Sequence, residues 1–138
     1  MHTDTWPEER RGAMDFISEA QEKGLIRTKG VSCHTLGALR AAANSDWVEV
    51  DLARINPAGV AMDADPKTVV SVLKEMKAKG KGIIGMKILG AGQLVSKAEE
   101  CLQYALASDV VDCFTIGTKS LDEFNTLLRR IPAASTRG

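Results

Sequence analysis

Four short apolar runs, each followed by a helical pattern, constrain the fold of this chain more than any other feature. They occupy residues 25–33, 47–55, 82–88 and 110–117. A strand followed by a helix, repeated along a chain, forms parallel strands joined by right-handed crossovers. Four such units are half of a TIM-type (β/α)8 barrel, which takes about 250 residues. The 138-residue chain is therefore predicted to be an α/β protein that forms half of such a barrel, with four parallel strands alternating with helices.

Charge and composition exclude several classes of partner. The chain has 18 basic and 18 acidic residues and no basic cluster, so no nucleic-acid surface is predicted. No apolar run reaches the ~20 residues that span a membrane, and no apolar segment typical of a secretion signal follows Met1, so we expect a cytoplasmic protein. The three cysteines have no paired spacing and the two histidines no zinc-ligand spacing, which predicts reduced thiols and no metal site.

Start and stop residues divide the segments between the runs into helices. The first helix is expected from Pro7 to about Lys23, with Gly24 as its stop. Hydroxyl and carboxylate side chains at the helix starts predict four N-caps, which are Thr35, Asp65, Ser96 and Ser120. From Pro132 onward we expect a disordered tail. The half-barrel is therefore expected to cover residues 1–131 and the tail residues 132–138.

The second and third runs carry charged side chains at strand positions. Glu49, Asp51 and Ala53 share one face of the second run, and we expect this acidic face to point into the barrel interior. Lys87 lies in the third run, so a buried ion pair with Asp51 or Glu49 is predicted. A lysine that forms an imine with a carbonyl substrate is the alternative for Lys87.

Function in a (β/α) barrel belongs to the loops after the strands. The loops at residues 90–92 and 117–119 are rich in glycine and could present backbone N–H groups to an anion, although ordinary tight turns remain the alternative. The G-x-G-x-x-G match at residues 80–85 precedes a strand instead of a helix, so it does not indicate a dinucleotide site. Adjacent strand residues point to opposite sides, which argues against a thiolate–imidazole pair of Cys33 and His34.

Four segments together resemble the second half of the aldo/keto reductase family. They are Gly-Val-Ser-Cys-His at 30–34, Arg-Ile-Asn-Pro at 54–57, Gly-Met-Lys-Ile-Leu-Gly-Ala-Gly at 85–92 and Phe-Thr-Ile-Gly at 114–117. The resemblance covers roughly residues 24–130 and implies that the four strands are strands five to eight of that barrel. In the family these strands bind NADPH without a Rossmann fold. The catalytic Asp, Tyr, Lys and His come from strands one to four.

The resemblance assigns roles to individual residues. His2 matches the catalytic His at the end of strand four, whereas Tyr104 lies in a helical segment and does not match the catalytic Tyr. Ser32 matches the serine that contacts the nicotinamide carboxamide, and Cys33 stands at the usual Asn position. Met86 stands where an aromatic ring often stacks on the nicotinamide. His2 is thus the one match to the catalytic tetrad.

The adenosine end of the cofactor site departs from the family pattern. Hydrophobic residues stand where the family usually has Gln, Arg, Glu and Asn; these are Leu52, Phe124, Leu127 and Leu128. What the resemblance retains is backbone anion binding around Gly117, Thr118, Lys119 and Ser120. Dinucleotide binding by this chain alone is therefore expected to be weak or absent, with any residual affinity centred there.

The resemblance implies the cofactor-binding half of an NADPH-dependent oxidoreductase of the aldo/keto reductase type, which in its complete form acts on a small carbonyl substrate. The chain alone is expected to be inactive, and to be completed by an N-terminal half or by self-association. Two alternatives remain. One is a non-catalytic or degenerate fragment that acts only by assembly, and the other is a Schiff-base lyase that uses Lys87.

Overall fold

A computed structural model describes residues 1–135 and contains one sheet of four parallel strands. The strands lie in the order of the chain, so each pairs with the next; they are β1 Gly30–Ser32, β2 Val50–Arg54, β3 Gly82–Met86 and β4 Cys113–Phe114. All three pairings are parallel. The predicted α/β fold with four parallel strands alternating with helices is therefore confirmed, and it is consistent with half a barrel.

Helices connect the strands and also flank the sheet. They are α1 Trp6–Glu9, α2 Arg11–Glu22, α3 Leu36–Asn44, α4 Pro66–Ala78, α5 Ala98–Ala107 and α6 Leu121–Ala134, with two short 3-10 turns at Gly90–Gly92 and Val95–Lys97. Within residues 1–135, no helix combines the length and the apolar character that crossing a membrane requires.

Three of the four predicted N-caps are confirmed. The side chains of Thr35, Asp65 and Ser120 each accept a hydrogen bond from a backbone N–H in the first turn of the following helix. The cap predicted at Ser96 is wrong, because Ser96 lies inside a 3-10 turn and α5 begins after Lys97 without a side-chain cap.

The ends of the chain differ from the prediction in two places. The expected first helix is divided at Arg10, whose backbone leaves the helical region with φ −111° and ψ 11°. The expected tail is partly helical, since α6 continues through Pro132 to Ala134, which is buried. Residues 136–138 of that tail lie outside the described residues.

The two faces of the sheet differ in burial because right-handed crossovers place the connecting helices on one face. The covered face carries Val31, Asp51, Ala53 and Ile83, all buried. The opposite face, here called the open face, carries residues that are mostly half-buried, namely Ser32, Leu52, Arg54, Ile84 and Met86.

The predicted orientation of the acidic face is therefore wrong. Asp51 and Ala53 pack beneath the helices, whereas Val50 and Leu52 lie on the open face. Glu49 precedes β2 and accepts hydrogen bonds from the Gln21 side chain. Alternation along a strand fixes which residues share a face but leaves open which face the helices cover.

The buried pair predicted for Lys87 is also wrong. β3 ends at Met86, because Lys87 has a positive φ of 58° and turns the chain away from the sheet. Its side chain is exposed, and among residues 1–135 it forms no ion pair with Asp51 or Glu49.

Candidate functional site

The carboxyl ends of the strands carry two distinct polar regions. One is a cavity that follows β3 and β4, and the other is a hydrogen-bonded cluster that follows β1 and β2. Parallel strands bring all four of their following loops to this edge of the sheet, which is where the sequence predicted the site.

The cavity beside β3 and β4 has a volume of about 880 Å³. Its wall includes the end of β3, the turn after it, the loop after β4 and the first turns of α6, represented by Met86, Lys87, Gly92, Gly117, Thr118 and Lys119. Small-molecule and cofactor sites typically measure 300–1,000 Å³. The cavity is therefore large enough for a sizeable organic ligand.

Charges of both signs line this cavity. Lys87, Lys119 and Arg130 supply positive charge, and Asp122 and Glu123 supply negative charge at the start of α6. The cations favour an anionic ligand, but the two carboxylates lie at the helix end where an anion would bind.

The capping interactions of α6 occupy two of the donors at this helix end. The Lys119 backbone N–H donates to Glu123 Oε2 at 2.7 Å, and the Glu123 backbone N–H donates to Ser120 Oγ at 3.2 Å. An anion placed at Lys119 and Ser120 must therefore displace the Glu123 carboxylate.

The cluster beside β1 and β2 is built around His34 and also contains Ser32, Arg54 and Asp63. It is here called the His34 cluster. His34 Nε2 lies 3.1 Å from Ser32 Oγ, and His34 Nδ1 lies 2.5 Å from an Arg54 Nη atom. The other Arg54 Nη atom lies 3.5 Å from Asp63 Oδ1. Ser32 Oγ also lies 3.8 Å from the sulfur of Met86 on the open face.

Burial shifts the pKa values of both ionisable partners of Arg54, which are His34 and Asp63. The pKa of His34 is lowered by burial and then by the neighbouring Arg54 cation. The pKa of Asp63 is raised by burial, which outweighs the opposing attraction of Arg54. Both shifts favour the neutral forms that cost least to bury.

The N-terminal residues lie against the outer edge of β1. The Met1 amino group donates to the Ser32 carbonyl, and the His34 N–H donates to the Met1 carbonyl at 2.7 Å. This is the hydrogen-bond pattern of a residue in a parallel strand beside β1. It brings the ring of His2 to 4.8 Å from that of His34, measured between centroids.

A second acid lies beneath the sheet, close to the His34 cluster. Asp51 is fully buried, and among the described residues neither of its carboxylate oxygens has a hydrogen-bond partner by geometry. Burial raises its pKa to about 6, although the neighbouring Cys33 thiol acts to lower it. Burial and then the Asp51 charge raise the pKa of Cys33. Cys33 is thus an unreactive thiol of the covered face.

Asn56 joins the two polar regions. Its side-chain amide donates to the carbonyls of Val60 at 2.8 Å and Lys87 at 3.1 Å, and its oxygen accepts from the Val60 N–H at 3.1 Å. This fully buried side chain therefore fixes the loop after β2 to the turn after β3.

The predicted site residues divide between these regions. Ser32 and Met86 meet on the open face, and His2 contacts the His34 cluster. Lys87, Gly117, Thr118 and Lys119 line the cavity, with Ser120 at the adjoining start of α6. Cys33 does not join either group, because it is fully buried beneath the sheet.

The roles of His34, Arg54, Asp63 and Asn56 were not predicted from the sequence. An arginine at the end of an apolar strand, nine residues before an aspartate, was the available signal for the Arg54 pair. Across residues 1–135, no three His, Cys, Asp or Glu side chains are grouped as a metal site requires. Comparisons of the chain with protein-family models, with curated proteins and with solved structures gave no match.

Proposed function

We propose that this chain is the cofactor-binding half of an NADPH-dependent oxidoreductase of the aldo/keto reductase type. The single observation that carries the proposal is the cavity of about 880 Å³ at the carboxyl ends of β3 and β4. Its lining includes Lys87, Gly117, Thr118 and Lys119, and the resemblance implies a cofactor role for the last three. In the complete protein, NADPH would lie along this edge and deliver a hydride to a small carbonyl compound.

The exposed surface supports a barrel that is completed by a second half. The apolar side chains of Leu121, Phe124 and Leu128 recur along one side of α6 and are 72%, 47% and 55% exposed. Phe16 on α2 is 72% exposed. Large apolar side chains grouped on a surface typically mark a contact with another protein.

The edge of β1 supports the same arrangement. Met1 and the β1 edge already form the hydrogen bonds of a parallel pair, so this edge accepts a further parallel strand. In the proposed barrel that strand is strand four, and His2 follows it. A second copy of this chain is the other candidate to cover the open face.

No observation specifically favours the lyase or an assembly role without a cofactor. Imine-forming lysines are typically desolvated in an apolar pocket, whereas Lys87 is exposed. The exposed apolar residues of α6 fit a half that binds a cofactor as well as one that does not.

NADPH titration followed by chemical-shift mapping tests the proposal. At millimolar NADPH we expect backbone amide shifts at residues 86–92 and 115–123, with smaller shifts elsewhere. Lys119→Ala should weaken this binding, and Lys74→Ala, which removes an exposed lysine of α4 outside the cavity, should not. Absence of shifts at millimolar NADPH, or shifts confined to another surface, would contradict the proposed function.

A further inference from the structure

The hydrogen bonds of the His34 cluster fix where the imidazole proton lies. A guanidinium group only donates hydrogen bonds, so His34 Nδ1, at 2.5 Å from Arg54, must accept. In a neutral imidazole the other nitrogen then carries the proton. His34 Nε2 therefore donates to Ser32 Oγ at 3.1 Å.

This direction determines what Ser32 can offer a ligand. A serine hydroxyl has one proton, and Ser32 Oγ already accepts from His34. Its own proton is directed to the Met86 sulfur, a weak acceptor at 3.8 Å on the open face. An oxygen acceptor on that face would replace the sulfur with a stronger hydrogen bond.

Burial and the charges around His34 favour the neutral imidazole. Burial lowers its pKa most, and Arg54, the N-terminal ammonium, His2 and Lys87 lower it further. Protonation would also place an Nδ1–H against the N–H groups of Arg54. Asp63, whose side chain is 1% exposed, pairs with the Arg54 Nη atom that does not face His34.

We propose that Arg54 and His34 are positioning residues that hold the Ser32 hydroxyl as a hydrogen-bond donor on the open face, for a neutral acceptor such as a carboxamide oxygen. The identity of that acceptor as the nicotinamide carboxamide rests on the proposed function. The proton positions within the cluster do not depend on it.

Long-range ¹H–¹⁵N spectra of the histidine side chains in the unliganded full chain test the proton positions. We expect His34 at neutral pH to carry its proton on Nε2 and none on Nδ1. His2→Gln assigns the signals, since the chain has two histidines. An Nδ1–H tautomer or a charged imidazolium for His34 at neutral pH would overturn the proposal.

A double variant tests whether Arg54 sets the tautomer. Arg54→Met alone leaves Asp63 buried without its partner, which is strongly destabilising, so the variant used is Arg54→Met with Asp63→Asn. It should give a mixture of the two His34 tautomers and raise the pKa of His34 towards the ordinary value. Arg40→Met, which removes an exposed arginine of α3, should change neither. An unchanged tautomer in the double variant would refute the role of Arg54.

NADPH affinity then tests the ligand. Ser32→Ala and the Arg54/Asp63 double variant should each weaken NADPH binding about 3- to 10-fold, the usual effect of one hydrogen bond. Combining them should weaken it no further, because both remove the same donor. Additive losses would contradict positioning through Ser32. A chain that shows the Nε2–H tautomer but no NADPH binding would contradict the proposed function and leave the proton positions confirmed.

Discussion

Replacing the buried Asp51 with asparagine should change how stability depends on pH. The pKa of Asp51 is raised from 3.8 to about 6 by burial. The folded carboxyl therefore holds its proton more tightly than the unfolded one, and the free energy of unfolding falls as pH rises through this range. Asparagine has nearly the same shape and does not ionise, so Asp51→Asn should remove this contribution.

The magnitude follows from the two pKa values. The difference between 3.8 and about 6 corresponds to a penalty of ~3 kcal/mol once the carboxyl is fully ionised. About half of that penalty develops between pH 5 and 7.5. A buried amide without partners for its N–H groups costs about 1–3 kcal/mol. Asp51→Asn should therefore be more stable than the parent by up to ~2 kcal/mol at pH 7.5, and at pH 5 this advantage should be smaller by about half of the ionisation penalty.

Urea unfolding monitored by circular dichroism, at several pH values between 5 and 7.5, provides the measurement. The quantity of interest is the variant's free energy of unfolding minus the parent's, since Asp63 and other groups contribute to both. Asp15→Asn, at an exposed position on α2, is the matched control and should give a flat difference. A flat difference for Asp51→Asn as well would refute the reasoning, because Asp51 would then be no harder to ionise in the folded chain.

Four further outcomes are expected. The chain alone should show no NADPH-dependent aldehyde reduction in a spectrophotometric assay, because it matches one position of the catalytic tetrad. One positioned acid or base typically accelerates a reaction ~10²–10⁴-fold, so measurable turnover would contradict this prediction. Light scattering after size exclusion should show self-association, whereas a 14.8 kDa monomer that binds no apolar dye would refute the half-barrel argument. Asn56→Ala should lower the free energy of unfolding by about 2–4 kcal/mol, since it breaks the bonds to Val60 and Lys87; a loss within error in urea would contradict that. Glu123→Gln should tighten NADPH binding about threefold, because it removes the negative charge that accepts a hydrogen bond from the Lys119 N–H. Unchanged affinity by calorimetry would show that Glu123 does not compete with the ligand for this end of α6.

The order and direction of the strands could be predicted because they depend on regular local patterns. The alternation of apolar runs with helical segments predicts parallel strands, and the half-barrel interpretation adds their sequential order. Capping residues such as Thr35 and Asp65 act within four residues of themselves, so their roles are also visible in the sequence.

The failures have a common physical cause, which is that tertiary packing decides between local options. Asp51 could face either side of β2, and the side was settled by which face the helices cover. Lys87 follows an apolar run without interruption, yet its positive φ ends the strand one residue earlier. The His34 cluster joins residues from three separate segments, and of its contacts the sequence offers a signal for the Arg54–Asp63 pair alone.

The two polar regions differ in charge in a way that bears on the proposed ligand. The His34 cluster offers a neutral donor, because burial and then the cations around His34 lower its pKa. The cavity beside α6 instead carries Lys119 and Arg130. The proposed NADPH would place its neutral nicotinamide at the His34 cluster and its anionic pyrophosphate at the cavity cations, in competition with Asp122 and Glu123. Because Asn56 fixes the loop after β2 to the turn after β3, we infer that the spacing between the two regions is set before any ligand binds.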